Sequence, residues 1–473
     1  MSAPLWTWAE AFSALGGELV GSAPEGFSSV SFDSREIAGG EIFFAIRGVR
    51  MDGHDFAAAA LRAGAGLAVV SRPDAEMKRA GPLLVVEDTL EALRRLAAAA
   101  RERVRGKVIG VTGSVGKTTT KEMLALAFAA VGRVHAAKAS FNNHWGVPLT
   151  LARMPREADF AIIEMGMNAP GEIADLTGLT RPDVAVVTAV AESHIGAFGD
   201  LSGIARAKAE VFSGLAPGAA AVINHDAPHA EILLAAARKA GAEPILTYGR
   251  GAGADIRLER AVSKEDCVCV EAVAGGERLA FRVGMPGAHI AQNALAVVGC
   301  GMATGADLTA LVHSLARLRP APGRGGRYRL SLPGGEALLI DESYNANPAS
   351  MRAALASLAA AQPGRGGRRV AVLGDMLELG EQAPALHAGL AAEAEAAKVD
   401  ALYLCGPMMR HLWEAAPEWM RAARAETPEA LKEALLGDLR PGDVIMVKGS
   451  AGSRMGPLAE ALRRTFEPEA QEA

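Results

Sequence analysis

From Gly113 to Thr119 the chain reads Gly-Ser-Val-Gly-Lys-Thr-Thr, residue types that together can hold a nucleoside triphosphate. Glycines let backbone amides approach phosphate oxygens, and the helix N-terminus that follows favours negative charge. A lysine can reach the terminal phosphates and a hydroxyl can ligate magnesium. The segment therefore predicts an ATP site built from Gly113, Ser114, Val115, Gly116, Lys117, Thr118 and Thr119, with Thr118 or Thr119 on Mg2+. It is a shortened loop, because only Ser114 and Val115 stand between its glycines, where the general pattern has about four residues. Glu164 is a second candidate. It closes the apolar run Phe160-Ala-Ile-Ile163, and a carboxylate at the end of a parallel strand suits magnesium bound to ATP.

Such groups work only when strand, loop and helix follow one another. Lys107–Thr112 reads as the strand, and Lys121–Phe128 has helical spacing. Further apolar runs at 160–163, 184–187 and 220–223 alternate with helical stretches, which predicts a parallel sheet covered on both faces. Upstream, the strand-like runs 41–46, 67–70 and 83–86 and an alanine-rich amphipathic stretch from Leu90 to Val104 predict a small α/β unit. Near Leu318 the run Arg319-Pro-Ala-Pro-Gly-Arg-Gly-Gly-Arg327 cannot continue a helix. Beyond it, runs at 370–373, 401–404 and 444–447 repeat the alternation. The expected fold is α/β in three domains: a small N-terminal α/β domain over 1–105, a central P-loop parallel-sheet domain over 106–318 and a C-terminal Rossmann-like domain over 319–473.

Composition narrows the partners. Half of the 473 residues are apolar and 22% are charged, the make-up of a folded chain with sizeable cores. A formal net charge of -5 offers no broad basic field for nucleic acid. Four cysteines, Cys267, Cys269, Cys300 and Cys405, are too sparse for a disulfide framework and fit a reducing cytoplasm. The N-terminus lacks a basic segment ahead of an apolar run, and no apolar stretch approaches the length that crosses a bilayer. A cytoplasmic protein without membrane insertion is expected.

Several motifs in a fixed order resemble those of the ATP-dependent Mur ligases, whose phosphate loop has the same short Gly-x-x-Gly-Lys-Thr-Thr form. They are Asp33-Ser-Arg35, Phe43-Phe-Ala-Ile-Arg-Gly48, Asp52-Gly-His-Asp-Phe56, Asn142-Asn-His-Trp-Gly-Val-Pro148, Glu164-Met-Gly-Met-Asn168, Gln292-Asn-Ala294, Gly323-Arg324, Asp341-Glu-Ser-Tyr-Asn-Ala-Asn-Pro348 and Lys448-Gly-Ser450. The resemblance implies three domains that bind a UDP-sugar precursor, ATP and the incoming amine. It also implies phosphorylation of a precursor carboxylate to an acyl phosphate, which an amine then attacks. Phosphate turns a poor electrophile into one with a good leaving group, leaving catalysis to positioning and charge neutralisation.

Residue roles follow from the same resemblance. Lys117, Glu164, His194 and Lys208 are implied as catalytic or metal-proximal, with Lys208 carbamylated so that an amine becomes an anionic magnesium partner. Asn293 is implied to read the adenine edge, Arg324 to neutralise phosphate and Asp341 to accept from ribose hydroxyls. On the substrate side, Ser34, Arg35, Arg47 and His54 are implied for the UDP portion, with Asn142, Asn143, Tyr344, Asn345, Asn347 and Lys448 for the reacting ends. Ser343–Met351 resembles the dipeptide-adding branch, which implies UDP-N-acetylmuramoyl-tripeptide and D-alanyl-D-alanine as substrates, ATP and Mg2+ as cofactors, and a monomer. The neighbouring branch, which adds the third residue, would carry a His-Thr-Pro wording and a later Asp-Asn-Pro-Arg, and neither occurs. Trp145 and Glu342 depart from the family wording, which has a smaller apolar residue and an aspartate at these places. Residues assigned to one site flank Pro322, so closure of the domains around ligand is expected.

Overall fold

A computed structural model describes residues 3–48, 51–193 and 195–467. Three larger sheets carry the chain, beside a two-stranded pairing of Trp6–Thr7 with Gly26–Phe27. The first has five strands in the order Glu18–Val20, Leu83–Val85, Leu67–Val70, Ile42–Phe44, Val30–Ser31, all parallel neighbours except the first pair. Helix Thr89–Arg103 follows it, capped by the Asp88 carboxylate on Leu90 N and Glu91 N, which satisfies two of the orphan amides of its first turn.

The second sheet has nine strands. Six strands run parallel: Val134–Ala136, Phe160–Glu164, Lys107–Thr112, Val184–Val187, Ala220–Asn224 and Ile245–Gly249. Ile256–Ser263 pairs parallel to the last of these, and two antiparallel strands, Val268–Ala274 and Glu277–Val283, extend the edge. The sequence reading expected only a parallel sheet here. The alternating burial of Val268, Val270, Ala272 and Ala274 is the period of a strand with one covered face. Lys107–Thr112 lies between Phe160–Glu164 and Val184–Val187, so the phosphate loop that leaves its carboxyl end emerges where a doubly wound sheet holds its ligand.

The third sheet orders Gly326–Leu332, Gly335–Glu342, Val444–Lys448, Arg369–Gly374, Ala401–Cys405, Arg421–Ala425, parallel apart from the opening hairpin. Its carboxyl ends, at Glu342 and Lys448, face the central sheet's loop. The first sheet is not a loosely tethered unit. One buried cluster runs from Trp6, Phe27 and Leu96 through Val147, Leu151 and Ile163. Trp6 Nε1 donates to Ala152 O at 2.9 Å, and the Arg103 guanidinium lies 3.4 Å over the Trp6 ring. Removing these side chains from water stabilises the shared core by roughly 1.5–3 kcal/mol per large residue.

Candidate active site

The phosphate loop is held by its own glycines and by neighbouring hydroxyls. Gly113 takes φ +149, and a Cβ there would sit 2.0 Å from the Thr188 hydroxyl. Gly116 takes φ +82, and its Cβ would meet Asn293 Oδ1 at 2.9 Å. Both positions need glycine for backbone shape and for the close approach of neighbours. Thr188 Oγ1 donates to Val115 O at 2.6 Å, and Ser114 Oγ both donates to Ala191 O (2.9 Å) and accepts from Ala191 N (3.0 Å). The Ser114 side chain is thus a brace for the loop, while its backbone remains on the cleft.

Lys117 folds back to donate to Gly113 O at 2.7 Å. Burial lowers its pKa, Glu164 opposes that shift and Arg324 adds to it. Thr118 Oγ1 donates to Glu164 Oε1 at 3.1 Å and lies 2.9 Å from Ser140 Oγ. Asn142 Nδ2 donates to the same carboxylate oxygen at 2.7 Å. The second oxygen, Glu164 Oε2, is buried without a hydrogen-bond partner. A buried bare carboxylate oxygen is costly unless something positive meets it, and with the Thr118 hydroxyl beside it the donor set is all oxygen, as magnesium requires.

The facing sheet supplies cations. Arg324 Nη2 donates to Ser140 Oγ at 3.3 Å, and its guanidinium stacks 3.9 Å over the Tyr344 ring. Lys448 is 3% exposed, donates to Asn345 O at 2.8 Å and lies 3.8 Å from the Glu342 carboxylate. Burial lowers the Lys448 pKa and Glu342 counters it. Between the sheets lies a cleft of about 450 Å³ whose walls include Ser114–Thr119, Asn142, Asn143, Glu164, Asn293, Arg324, Tyr344, Asn345, Asn347 and Lys448. Most of the residues expected at the reacting end therefore meet in one place. Asn347 has a second duty, since its side chain caps helix Pro348–Ala360 through Ser350 N.

Other expected residues stand elsewhere. Asp341 Oδ1 accepts from Ser343 N (3.1 Å) and Ser343 Oγ (2.6 Å), and its neighbour Glu342 lines the cleft. His194 lies outside the described residues. Lys208, on helix Leu201–Ala209, is 1% exposed and has no hydrogen bond or ion pair among the described residues. Burial lowers its pKa well below the ordinary lysine value and Lys117 adds to this, against Glu210 and Glu172. An uncharged amine is the form that can add carbon dioxide.

The four N-terminal candidates are apart from the cleft. Arg35 is solvent-exposed and chelated by Asp33, with Nε to Oδ1 at 2.9 Å and Nη2 to Oδ2 at 2.6 Å; Ser34 sits beside it. Arg47 is exposed and bridges to Asp52 through its backbone. His54 is buried with both ring nitrogens engaged: Nε2 accepts from Ser71 N at 2.9 Å, which leaves Nδ1–H to donate to Asp52 at 2.6 Å. It braces the helix His54–Arg62 against the strand end. Sequence reasoning missed Ser140, His289, Arg327 and Glu342, which also line the cleft. Ser140 precedes the singled-out Asn142 by two places, but a lone serine in a loop carries no local signal.

Three family models match: the Mur ligase family catalytic domain at 27–101, the Mur ligase middle domain at 111–301 and the Mur ligase glutamate ligase domain at 328–451. Curated relatives named UDP-N-acetylmuramoyl-tripeptide--D-alanyl-D-alanine ligase include one from Escherichia coli, 35% identical over 95% of this chain and 96% of the relative. One from Synechocystis is 35% identical over 92% of each. Among solved structures, MurF from Acinetobacter baumannii superposes with a TM-score of 0.85 at 29% identity, over 98% of this chain and 100% of that one. MurF from Thermotoga maritima in complex with ADP gives 0.76 at 27% identity, over 92% and 97%. With the short phosphate loop, the bare Glu164 oxygen and the cations of a second sheet meeting in one cleft, and with likeness end to end, the chain belongs to the Mur ligase family.

Proposed function

We infer that this chain is an ATP-dependent, ADP-forming ligase that joins D-alanyl-D-alanine to UDP-N-acetylmuramoyl-tripeptide in peptidoglycan precursor synthesis. The observation that carries the reading is the cleft itself, where Lys117, Thr118 and Glu164 from one sheet face Arg324 and Lys448 from another, in a chain collinear with relatives of that name. The terminal tripeptide carboxylate attacks the γ-phosphorus of ATP, and the bond to the ADP oxygen breaks as the acyl phosphate forms. The dipeptide amine then attacks the acyl carbon, losing a proton, and inorganic phosphate leaves. Lys117 and Arg324 neutralise charge on the transferring group, and Ser140 and Asn142 hold Thr118 and Glu164 in register, so positioning and electrostatics carry the rate.

Thr118 and Glu164 are the residues that would hold Mg2+, with His194 and a carbamylated Lys208 carried over from the family resemblance. Such an ion, when bound, offsets the charge of the phosphates. Asn293 is proposed for the adenine edge, and Asn142, Asn143, Tyr344, Asn345, Asn347 and Lys448 for the reacting ends of the two substrates. Ser34, Arg35 and Arg47 are proposed for the UDP portion, with His54 supporting them from beneath. Residues 1–105, 106–318 and 319–473 are proposed to serve precursor, ATP and amine. Among the described residues no helix is long and apolar enough to cross a membrane, and a cytoplasmic monomer without nucleic-acid partners is proposed.

The test is phosphate release from purified protein with ATP, Mg2+ and UDP-N-acetylmuramoyl-tripeptide, with and without D-alanyl-D-alanine, followed by mass spectrometry. Dipeptide-dependent phosphate and a pentapeptide product are expected. Turnover with a single diamino acid and the dipeptide precursor instead would move the reading to the neighbouring branch. ATP turnover indifferent to any amine would make the protein a nucleotide switch.

A further inference from the structure

The segment that cradles the phosphate loop is itself tied to the C-terminal sheet's first long helix. Just beyond strand Val184–Val187, three residues hold the loop. Thr188 Oγ1 donates to Val115 O at 2.6 Å, Ala189 O accepts from Ser114 N at 2.8 Å, and Ala191 meets the Ser114 hydroxyl through both its N and its O. The next side chain, Glu192, reaches out of the central unit, and its Oε2 accepts from Arg352 Nη2 at 3.1 Å. Arg352 lies one turn into helix Pro348–Ala360, whose Ala349, Ser350 and Ala353 line the cleft. The chain just before that helix is fixed as well, because Lys448 donates to Asn345 O at 2.8 Å and Ser450 Oγ to Ala346 O at 3.1 Å. A second contact between the two units, Arg324 to Ser140, stands beside Thr118. One tether leaves a rotation about itself; a second, well away from it along the chain on both sides, removes most of that freedom.

The two halves of the reaction make demands on different elements. Phosphoryl transfer takes place over the phosphate loop, whereas the amine approaches from the side built by Asn345, Asn347 and the start of helix Pro348–Ala360. A misplacement of about 1 Å between reacting groups costs on the order of 10²-fold in rate. Arg352 and Glu192 are 41% and 25% exposed, and a pair this open to water adds little to stability. Neither is among the described residues that line the cleft, so their bond acts through what each one carries. Glu192 follows the cradle of the phosphate loop directly, and Arg352 is rigidly attached to the helix that seats the amine. We propose that Arg352 is a positioning residue which, through Glu192, sets the amine's seat in register with the phosphate loop. The proposal rests on the ligase reading above and adds to it the pair that aligns its two halves.

Full-length Arg352→Met, Glu192→Met and the reversed pair, Arg352→Glu with Glu192→Arg, test it by melting curves, calorimetric ADP binding and steady-state pentapeptide formation. For either single variant kcat is expected to fall on the order of tenfold, less than a full misplacement costs because the Arg324–Ser140 contact remains. The ADP dissociation constant and the KM for ATP stay within about twofold of wild type, and the melting curve is unchanged. The reversed pair restores the bond with its ends exchanged and recovers most of kcat, which a loss of local packing at either residue would not allow. Unchanged kcat in both single variants, a fall in kcat matched by the same rise in the ADP dissociation constant, or a reversed pair no better than the single variants overturns the proposal. A wild-type protein that turns over ATP without forming pentapeptide defeats the ligase reading and this proposal together; a wild-type protein that forms it beside unaffected single variants defeats this proposal alone.

Discussion

Replacing Lys121 by methionine tests how the loop that carries Ser140 and Asn142 is held. Lys121 lies on helix Lys117–Phe128 one turn past the phosphate loop, with a side chain 0% exposed. Its Nζ donates to Ala137 O at 2.6 Å and reaches Ala139 O at 3.5 Å and Glu122 Oε1 at 2.7 Å. Methionine nearly keeps the volume, so little cavity cost arises. What is lost is one strong charged hydrogen bond, worth about 1.5–3 kcal/mol, while the second is too long to count for much. Against this stands the relief of an ion that no longer has to be buried, which offsets part of it. The half-exposed Glu122 pair adds less than about 1 kcal/mol. A net loss of about 1–2 kcal/mol follows, or roughly 2–8 °C in the melting temperature of a unit of this size.

The catalytic consequence is larger than the stability loss alone. Ala139 precedes Ser140, which touches both Thr118 and Arg324, and Asn142 touches Glu164. A shift of about 1 Å in that loop costs on the order of tenfold to a hundredfold in kcat/KM. Scanning calorimetry and steady-state phosphate release on the same preparations read both effects. A variant that melts 2–8 °C lower yet keeps kcat/KM would refute the positioning argument. One that keeps both would refute the claim that this amine anchors the loop at all.

Three further outcomes follow from the same geometry. Glu164→Gln, isosteric but neutral, should leave folding unchanged, reduce kcat on the order of 10²–10³-fold and raise the Mg2+ concentration for half-maximal rate, read by a magnesium titration of phosphate release. Gly196, in helix Ile195–Phe198, and Gly380 meet back to back, a Cβ on Gly196 falling 3.1 Å from Gly380 N; Arg352 and Glu192 form a further ion pair at 3.1 Å. Gly196→Ala should push the Gly380 turn back by a few tenths of an ångström and lower kcat, read by steady-state phosphate release. Burial would raise the Asp52 carboxyl, but hydrogen bonds from His54 and Arg72 outweigh it and hold the carboxyl at about 2, below its ordinary 3.8. This contribution is complete above pH 3.8 and is lost as pH falls toward 2. Asp52→Asn should therefore melt lower at neutral pH and show a flatter melting curve against pH in that acid window.

The phosphate loop was legible in the sequence because its chemistry is local: glycines, lysine and hydroxyls act within one turn, and the strand before and helix after are set by hydrophobic period. Glu164 was legible for a related reason, since it closes an apolar strand. The shared cleft was foreshadowed only by family likeness, because its second wall lies about two hundred residues downstream of the loop and no local pattern reports that separation. Tertiary structure alone tied one oxygen of Asp341 into the turn at Ser343 and turned Glu342 to the cleft, because adjacent strand residues face opposite ways. It likewise made His54 a brace, by setting Ser71 N against its free nitrogen. It buried Lys121 and Lys208, which a helical pattern would leave in solvent. Sequence determines which groups exist and which elements carry them; packing of distant elements determines which groups lose water and which find partners, and that decides which are left for chemistry.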